Sequence, residues 1–509
     1  MKFKALFLMF LFSAGFFACT DLEETLNEDL TKTAAEEFLN ANTDVAALLT
    51  GCYIGLRLPF QDQSRFWAAS QHTTDETLGP TRGPDWDDNG IWRVLHTHTW
   101  DADHAFLTST FNELLQVVFS TTNVLNFNAN VQQKAEARFL RAFVIFSVAD
   151  GWNQVPYRQP GENLLNAPNV LKGAEALNFV ISELTAVIGD LPDGPTNRAN
   201  KNAAKGLLMR AYLNKGTFSD RQNPSFPQAD MDKVITLADE IIAGNQYSLD
   251  DNYFDNFAPN NDQVSSENIW TAENEGGSNS GNVRSRWFCT LHYNQNPSGW
   301  NGFATLSDLY DSFEPGDKRV KASYAGMTEV SGINAGFLIG QQVDQNGTEL
   351  NDRKGNKLAF TRDVANIETA NNLEITGIRV IKYPIDYLGG DNANNDYVYL
   401  RYADVLLMKA EALLRNNNAA GGLTIVNQVR AKRGASDLGS LTADNLLAER
   451  SREFYWEGNR RTDMIRFGKF LAPFQQKPGT DGPERLLFPI PASALAVNPN
   501  LEQNPGYPR

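Results

Sequence analysis

The chain has 509 residues, 45 of them basic and 61 acidic, and a net charge of −16. Such a length buries a large core or several subdomains, and such acidity argues against binding to nucleic acid or to an anionic membrane surface. Several of the nine tryptophans lie in polar, loop-like stretches. This composition suits a sugar-binding surface, because a flat ring packs against the face of a pyranose.

The N-terminus reads as a lipoprotein signal. A short basic start is followed by an apolar stretch, Ala5 to Ala18, that is too short to span a bilayer. Ala18, a small residue, directly precedes Cys19, as in the lipobox of bacterial lipoproteins, although Phe16 stands where that pattern prefers leucine. We therefore expect cleavage after residue 18 and a lipid on Cys19, which tethers the protein without a membrane-spanning helix.

The next part of the chain alternates helical and irregular patterns. Apolar spacing predicts a helix from Thr43 to Arg57. The stretch from Gln61 to Asp103 holds four tryptophans among Gly-Pro breakers, which predicts loops and short strands. Helical spacing then returns in five segments: Thr110–Phe127, Val131–Asn153, Ala174–Ile188, Asn202–Lys215 and Met231–Ala243.

Alanines mixed with large apolar residues recur around Ala135, Ala203 and Ala403. Small residues at helix crossings, repeated in this way, predict a mainly α fold built on a tetratricopeptide-like helical-repeat scaffold. Residues 247–399 lack a helical period and are rich in Asn, Gly and Asp. We expect them to form a large insertion of loops and short strands mounted on that scaffold, where binding sites are often found.

Three helices are predicted near the C-terminus. The first runs from Arg401 to Arg415, Asn416 to Gly422 break the pattern, and the second runs from about Leu423 to Arg433. The third begins at Thr442 and is predicted to end at Gly458. A charged run lies in and after it, and we expect Arg460, Arg461 and Arg466 to pair with Glu453, Glu457 and Asp463 in a structural network.

These C-terminal residues resemble the signature of the SusD/RagB family. The resemblance is carried by four blocks in order: Arg401 to Ala412, Val426 to Arg430, Glu449 to Arg466, and the tail from Pro489 to Tyr507. It implies a surface lipoprotein of Bacteroidota in the outer membrane, which binds a nutrient and works with a TonB-dependent outer-membrane transporter of the SusC-like kind. Acidic residues just after Cys19 resemble the surface-export signal of such lipoproteins, so the protein is expected to face outward.

The resemblance and the patterns together give a division of the chain. We expect a signal peptide at 1–18, a lipidated tether at 19–33, an N-terminal helical-repeat region at 34–246 with the aromatic loop 61–103, the insertion at 247–399, and C-terminal repeats with the family tail at 400–509.

In SusD-like proteins the glycan lies on an arc of aromatic rings from an early loop and from the insertion. The matching regions here are Arg82 to Trp92 and Trp287 to Trp300. By this regional correspondence we expect Trp86, Trp287, Tyr293 and Trp300 to stack on the ligand, with Arg82 and Asp85 meeting its hydroxyl groups.

Two stretches resemble metal sites. Asp85 to Gly90 matches the first half of a calcium loop, but His96 stands where a bidentate glutamate belongs, so a polar turn is the preferred interpretation. His96, His98 and His104 lie near Asp101 and Asp103. Two imidazoles and a carboxylate on one strand face can hold zinc, but structural polar contacts are preferred. We therefore predict neither a metal nor a cofactor.

The function expected is capture of an oligosaccharide for delivery to the transporter, without enzymatic activity. No GxSxG, Walker, HExxH or Rossmann motif is present in the sequence. The alternatives are a peptide-binding member of the same family, a surface hydrolase, and a helical scaffold for protein partners. Cys52 and Cys289 are expected to be free, buried thiols.

Overall fold

The computed structural model describes residues 40–276 and 281–508. It divides into two compact units, Met1–Asp44 and Val45–Arg509. Residues 40–42 of the first unit are helical. The predicted signal peptide, the predicted lipidation site Cys19 and the predicted tether 19–33 lie outside the described residues. In the described part of the second unit, each helix is too short or too polar to cross a bilayer.

Helices dominate the N-terminal half. They are α1 (Val45–Gly55), α2 (Arg57–Gln61), α3 (Phe66–Gln71), α4 (Ile91–His96), α5 (Ala105–Val124), α6 (Val131–Trp152), α7 (Ala174–Val187), α8 (Lys201–Ser219) and α9 (Gln228–Ala243). From α5 to α9 each helix packs on the next, as in a helical repeat. The side chain of Asn130 caps α6 by accepting a hydrogen bond from Gln133 N, and the Gln133 side chain accepts one from Asn130 N.

The C-terminal helices continue the same array. They are α14 (Tyr402–Arg415), α15 (Ala419–Arg433), α16 (Ala443–Phe454), α17 (Arg460–Arg466) and α18 (Ala492–Val497), and they follow the shorter α10 (Asn261–Val264), α11 (Ser285–Phe288), α12 (Ser307–Asp311) and α13 (Thr328–Ser331). Because α9 packs on α14 and α14 on α15, the helical scaffold is continuous across the insertion. The predicted mainly α, repeat-type fold is confirmed.

Small residues stand where helices meet other segments closely, as predicted. Ala135, Ala403 and Ala410 are almost fully buried. A Cβ on Gly206 of α8 would lie 2.2 Å from Leu400 Cδ2. Only a residue without a side chain allows this approach.

Two predicted helix boundaries are wrong. The break at Asn416 to Gly422 is shorter than expected, because the Asn418 side chain caps α15 and the helix starts at Ala419. Gly422 then lies inside the helix, where a Cβ would stand 2.8 Å from Ala410 O. Helix α16 ends at Phe454 rather than at Gly458.

The insertion consists of loops, short helices and short strands. The strands are β3 (Asn268–Ala272), β4 (Lys321–Ala322), β5 (Ala335–Leu338), β6 (Gly340–Gln341), β7 (Ala359–Phe360), β8 (Arg379–Ile381) and β9 (Tyr397–Arg401), preceded by the hairpin β1 (Gln154–Tyr157) and β2 (Asn169–Lys172). Strand β3 pairs with β9, β5 lies between β4 and β8, and β6 pairs with β7, all antiparallel. Strand β9 leads directly into α14, which fixes the insertion to the scaffold.

The aromatic region 61–103 is more helical than expected, since it contains all of α3 and α4. Its Gly-Pro breakers suggested loops, but the apolar rings between them are largely core. Trp67, Trp92 and Trp100 are 1%, 4% and 2% exposed, respectively. Trp86 is the member of the four that stays partly exposed.

The charged C-terminal run forms a buried ionic network. The Glu453 carboxylate lies 2.6 Å from Arg401 Nη1, 2.8 Å from Arg433 Nη2 and 3.0 Å from Arg319 Nη1. Burial by itself raises the pKa of Glu453, but the three guanidinium groups outweigh burial and hold that pKa well below its ordinary value.

The network's pairing differs from the sequence expectation. Arg466 pairs with Asp463 as predicted, at 2.6 Å, but Arg460 pairs with Asp75 and Arg461 with Asp150. These partners lie more than 300 residues away. The fold brings them together, and no local spacing could reveal them.

Replacing Glu453 by alanine should lower the free energy of unfolding by about 3–5 kcal/mol, because three buried guanidinium groups lose their shared carboxylate. Urea denaturation followed by circular dichroism measures this. The matched control is Glu349→Ala, whose ion pair with Lys357 is exposed, and it should change stability little. Equal losses in the two variants would contradict the structural role of Glu453.

Candidate functional site

An open surface cavity of about 500 Å³ joins the early aromatic region to the insertion. Its lining consists of five aromatic and four polar residues: Gln63, Ser64, Asp85, Trp86, Asp88, Trp92, Phe106, Tyr293 and Trp300. Four of the six expected ligand-binding residues, Asp85, Trp86, Tyr293 and Trp300, therefore meet here. Two segments some 200 residues apart in the chain build one surface.

Two indole rings form its main wall. The ring centroids of Trp86 and Trp300 are 6.3 Å apart and their planes are inclined by 55°. Trp86 Nε1 donates to Trp300 O at 2.9 Å, which fixes one ring relative to the backbone of the other. Trp300 is 44% exposed, an uncommon state for so large an apolar ring. The inclined planes give a curved surface rather than a flat platform.

The backbone under Trp86 is specialised. Trp86 has a φ of +60°, in the left-handed region that bulky residues rarely occupy, and Asn89 and Asn301 also have positive φ values. A Cβ on Gly302 would stand 2.2 Å from Trp86 Cζ2, so the indole rests directly on a glycine. Unusual backbone held by its surroundings is typical of binding sites.

A polar cluster supports the third ring. Tyr293 Oη donates to Asp85 Oδ2 at 3.0 Å, and the Arg353 guanidinium lies 3.9 Å from the centroid of the Tyr293 ring. Arg353 Nε donates to Glu374 Oε1 at 2.7 Å. Burial first, and then the Asp85 carboxylate, raise the pKa of Tyr293 to about 12, so its hydroxyl keeps its proton. The Tyr293 ring is thus held by Asp85 at its hydroxyl group and by Arg353 over its face.

Two expected contacts, Arg82 and Trp287, are wrong. Arg82 is 3% exposed, and its guanidinium donates to Leu373 O and Thr376 O, where it ties the early loop to the insertion. Trp287 is 2% exposed and belongs to the core. Regional correspondence identified two segments that meet at this cavity, but it does not tell which residues of a segment point outward.

Sequence reasoning missed Arg353 and Asp88. Arg353 lies in a turn of the insertion and reaches Asp85 across 268 residues, with 3.4 Å between Arg353 Nη2 and Asp85 Oδ2. Asp88 accepts a hydrogen bond from Trp92 Nε1 at 2.9 Å. Only Asp88 carried a signal, since it belongs to the aspartate-rich turn beside Trp86.

The aspartate-rich turn is a polar turn, as preferred. Asp85 bonds Tyr293, Asp87 bonds Arg93 at 2.6 Å and Asp88 bonds Trp92, so the carboxylates are directed to different protein donors. Among the described residues, no group of three or more His, Cys, Asp and Glu residues is arranged to hold a metal ion.

The histidines make structural contacts. His96 ends α4 rather than lying on a strand, and its ring nitrogens meet Thr77 O and Gln475 O. His98 contacts Asp481 and Thr73 O, and His104 contacts Ile91 O. Cys52 and Cys289 are free and buried, as expected.

A fourth histidine lies behind the wall of the cavity. His72 is fully buried, and neither ring nitrogen has a hydrogen-bond partner among the described residues. Its ring packs against Trp67, Trp92 and Phe303. Burial, with smaller contributions from His96 and Arg286, holds the pKa of His72 well below its ordinary value of 6.5.

This burial predicts a pH dependence of stability. Below pH 6.5 His72 binds a proton in the unfolded chain but not in the folded protein. The free energy of unfolding therefore decreases as the pH falls below 6.5. We expect wild type to lose about 1 kcal/mol more free energy of unfolding than His72→Phe between pH 6.5 and 5.5. Urea denaturation at several pH values measures this, and parallel curves for the two proteins would contradict it.

Comparisons with known proteins agree on one family. A family model described as the SusD family matches residues 235–507, more than half of the chain. The starch-binding protein SusD of Bacteroides thetaiotaomicron is 25% identical over 422 residues, covering 74% of this chain and 73% of that protein. SusD-like protein P25 of Formosa agariphila is 24% identical, covering 96% and 97%.

Solved structures share the fold. A SusD superfamily protein from Parabacteroides distasonis superposes with a TM-score of 0.70 at 18% identity, covering 91% of this chain and 98% of that one. A laminarin-binding SusD-like protein superposes with a TM-score of 0.68 at 21% identity, covering 91% and 99%.

Proposed function

The chain belongs to the SusD family, and on this premise we propose that it is a surface-exposed lipoprotein that binds an oligosaccharide and delivers it to a TonB-dependent outer-membrane transporter. The observation that carries the proposal is the cavity in which Trp86, Trp300 and Tyr293 meet, with ionic and amide groups beside them.

The chemistry of the cavity suits a sugar. Pyranose faces are apolar and pack on indole and phenol rings, while their rims carry hydroxyl groups that need donors and acceptors. Asp85, Asp88, Gln63 and Ser64 line the same cavity and supply such groups. A relative that binds starch, SusD itself, supports a glycan as the ligand.

Binding without catalysis is part of the proposal. Asp85 accepts hydrogen bonds from Tyr293 and Arg353, and Asp88 accepts one from Trp92. A glycosidase needs a pair of carboxyl groups free to protonate and attack across a glycosidic bond. These two carboxylates are engaged instead in holding the rings in place.

Replacing Trp300 by alanine should weaken glycan binding by about 1–3 kcal/mol, by analogy with ring stacking on other ligands. Affinity gel electrophoresis against a panel of plant and microbial polysaccharides measures this, and the same gels show whether sugars are released. The matched control is Phe119→Ala, because Phe119 is also 44% exposed but lies on α5.

The outcomes separate the alternatives. Retardation by a polysaccharide without released sugars supports binding, and released sugars would favour a hydrolase. If no polysaccharide retards the wild-type protein but peptides bind to it, the peptide-binding alternative replaces the proposal. If Trp300→Ala binds as well as Phe119→Ala, the cavity is not the site.

Anchoring follows from the same proposal. We take residues 1–18 as the signal peptide, Cys19 as the lipidated N-terminus and 19–33 as the tether, with the helical and insertion regions divided as the sequence predicts. A lipid confines the protein to the membrane of its transporter, and confinement raises the effective concentration of each for the other. The protein would then act as a hinged lid over the transporter, with its helical face on the barrel and its rings toward the ligand.

Purification from detergent-solubilised outer membrane, with a C-terminal tag shown to be harmless, should recover a TonB-dependent transporter together with this protein at native expression. Cys19→Ser is the matched control: it should leave the membrane fraction and lose the transporter. Recovery of the wild-type protein alone would refute the lid, and Cys19→Ser that stays in the membrane would refute the lipid anchor.

A further inference from the structure

The cavity is acidic where it meets a ligand. Of the described residues that line it, the charged ones are Asp85 and Asp88, and both are carboxylates. The remaining lining groups are aromatic rings, one amide and one hydroxyl side chain. A ligand in contact with this lining therefore touches negatively charged side chains, whereas the positively charged side chains of the described residues lie outside it.

Two partly exposed cations near the lining, Arg353 and Arg93, are paired with carboxylates. Arg353 lies between Glu374 Oε1, at 2.7 Å from its Nε, and Asp85 Oδ2, at 3.4 Å from its Nη2. Arg93 pairs with Asp87 at 2.6 Å. Four carboxylates thus stand against two guanidinium groups, an excess of two negative charges among Asp85, Asp87, Asp88, Glu374, Arg93 and Arg353.

Two further arginines, Arg82 and Arg379, place positive charge near Tyr293 and reduce this excess, but both are buried and donate to oxygens of the protein, so a ligand cannot pair with them. His292 Nε2 donates to Glu374 Oε2 at 2.9 Å, and burial lowers the pKa of His292, so its ring is neutral at pH 7. Tyr293 keeps its proton, as described above. The whole chain adds a field of the same sign, with a net charge of −16.

Resting on the proposed function, we infer that this cavity selects uncharged glycans and rejects chains that carry carboxylate or sulfate groups. The rings recognise pyranose faces whatever the charge of the sugar, so they supply affinity. The excess carboxylates supply the selection, because an anionic substituent a few ångströms away is repelled and little countercharge is available to it.

The test compares charge on one backbone. Laminarin, starch and xylan are each used unmodified, carboxymethylated and hydroxyethylated, the last being a substituent of similar size without charge. For any backbone that wild type binds, we expect carboxymethylation to weaken binding about tenfold at low salt, and hydroxyethylation much less. The difference should shrink at about 0.5 M salt, because the repulsion is screened.

A variant locates the repulsion in the cavity. Asp88→Asn keeps an amide oxygen that can accept from Trp92 Nε1 but removes one charge. The ratio of the affinity for the carboxymethylated form to that for the unmodified form should rise about threefold. Asp190→Asn, an exposed residue at the end of α7, should leave this ratio unchanged.

The failures are distinguishable. Equal or tighter binding of the carboxymethylated form overturns the inference and leaves the proposed function standing. An unchanged affinity ratio in Asp88→Asn also overturns it. If the folded wild-type protein binds none of the nine polysaccharides and none of the wider plant and microbial panel, the proposed function falls, and the inference falls with it.

Discussion

The carboxylate of Glu453 connects three parts of the protein that are far apart in the chain. Arg319 comes from the insertion, Arg401 from the junction of β9 with α14, and Arg433 from the end of α15. All four side chains are about 1% exposed or less. A buried charge is tolerated only where its partners are fixed, so the fold must deliver each arginine to this point. If the helices packed in another order, some of these buried charges would be unpaired. The need to pair them therefore favours the observed packing order of the helices.

Helices could be predicted from the sequence because their determinants are local. The capping side chains of Asn130 and Thr442 and the alanine-rich faces are visible within a few residues. The ionic partners could not be predicted, since Arg460 reaches Asp75 and Arg461 reaches Asp150 through tertiary contacts. Local charge patterns predicted only that these arginines would be paired. Arginines are paired in networks on the surface and in the core alike, so the patterns did not predict burial.

The residues of the cavity likewise include some that could be predicted from the sequence and some that could not. Aromatic residues in polar loops indicated two segments, and Trp86, Tyr293 and Trp300 of these segments line one cavity. Exposure depends on the side of a segment that faces the core, so Trp287 was placed wrongly although it lies in the same segment as Trp300. Arg353 could not be found at all, because nothing in its own turn signals that the Tyr293 ring lies beneath it.

The paired ends of the insertion have a consequence for how such a protein diversifies. Strands β3 and β9 are antiparallel neighbours, with Asn268 opposite Arg401 and Ala272 opposite Tyr397. The chain therefore leaves the helical array and returns to it at adjacent points, whatever lies between. Additions or deletions within residues 273–396 need not displace a scaffold helix, since loop length alone costs little. An exchange of the whole region between relatives would therefore have to carry over Arg319, which pairs with Glu453, and a surface that fits the early loop at Trp86.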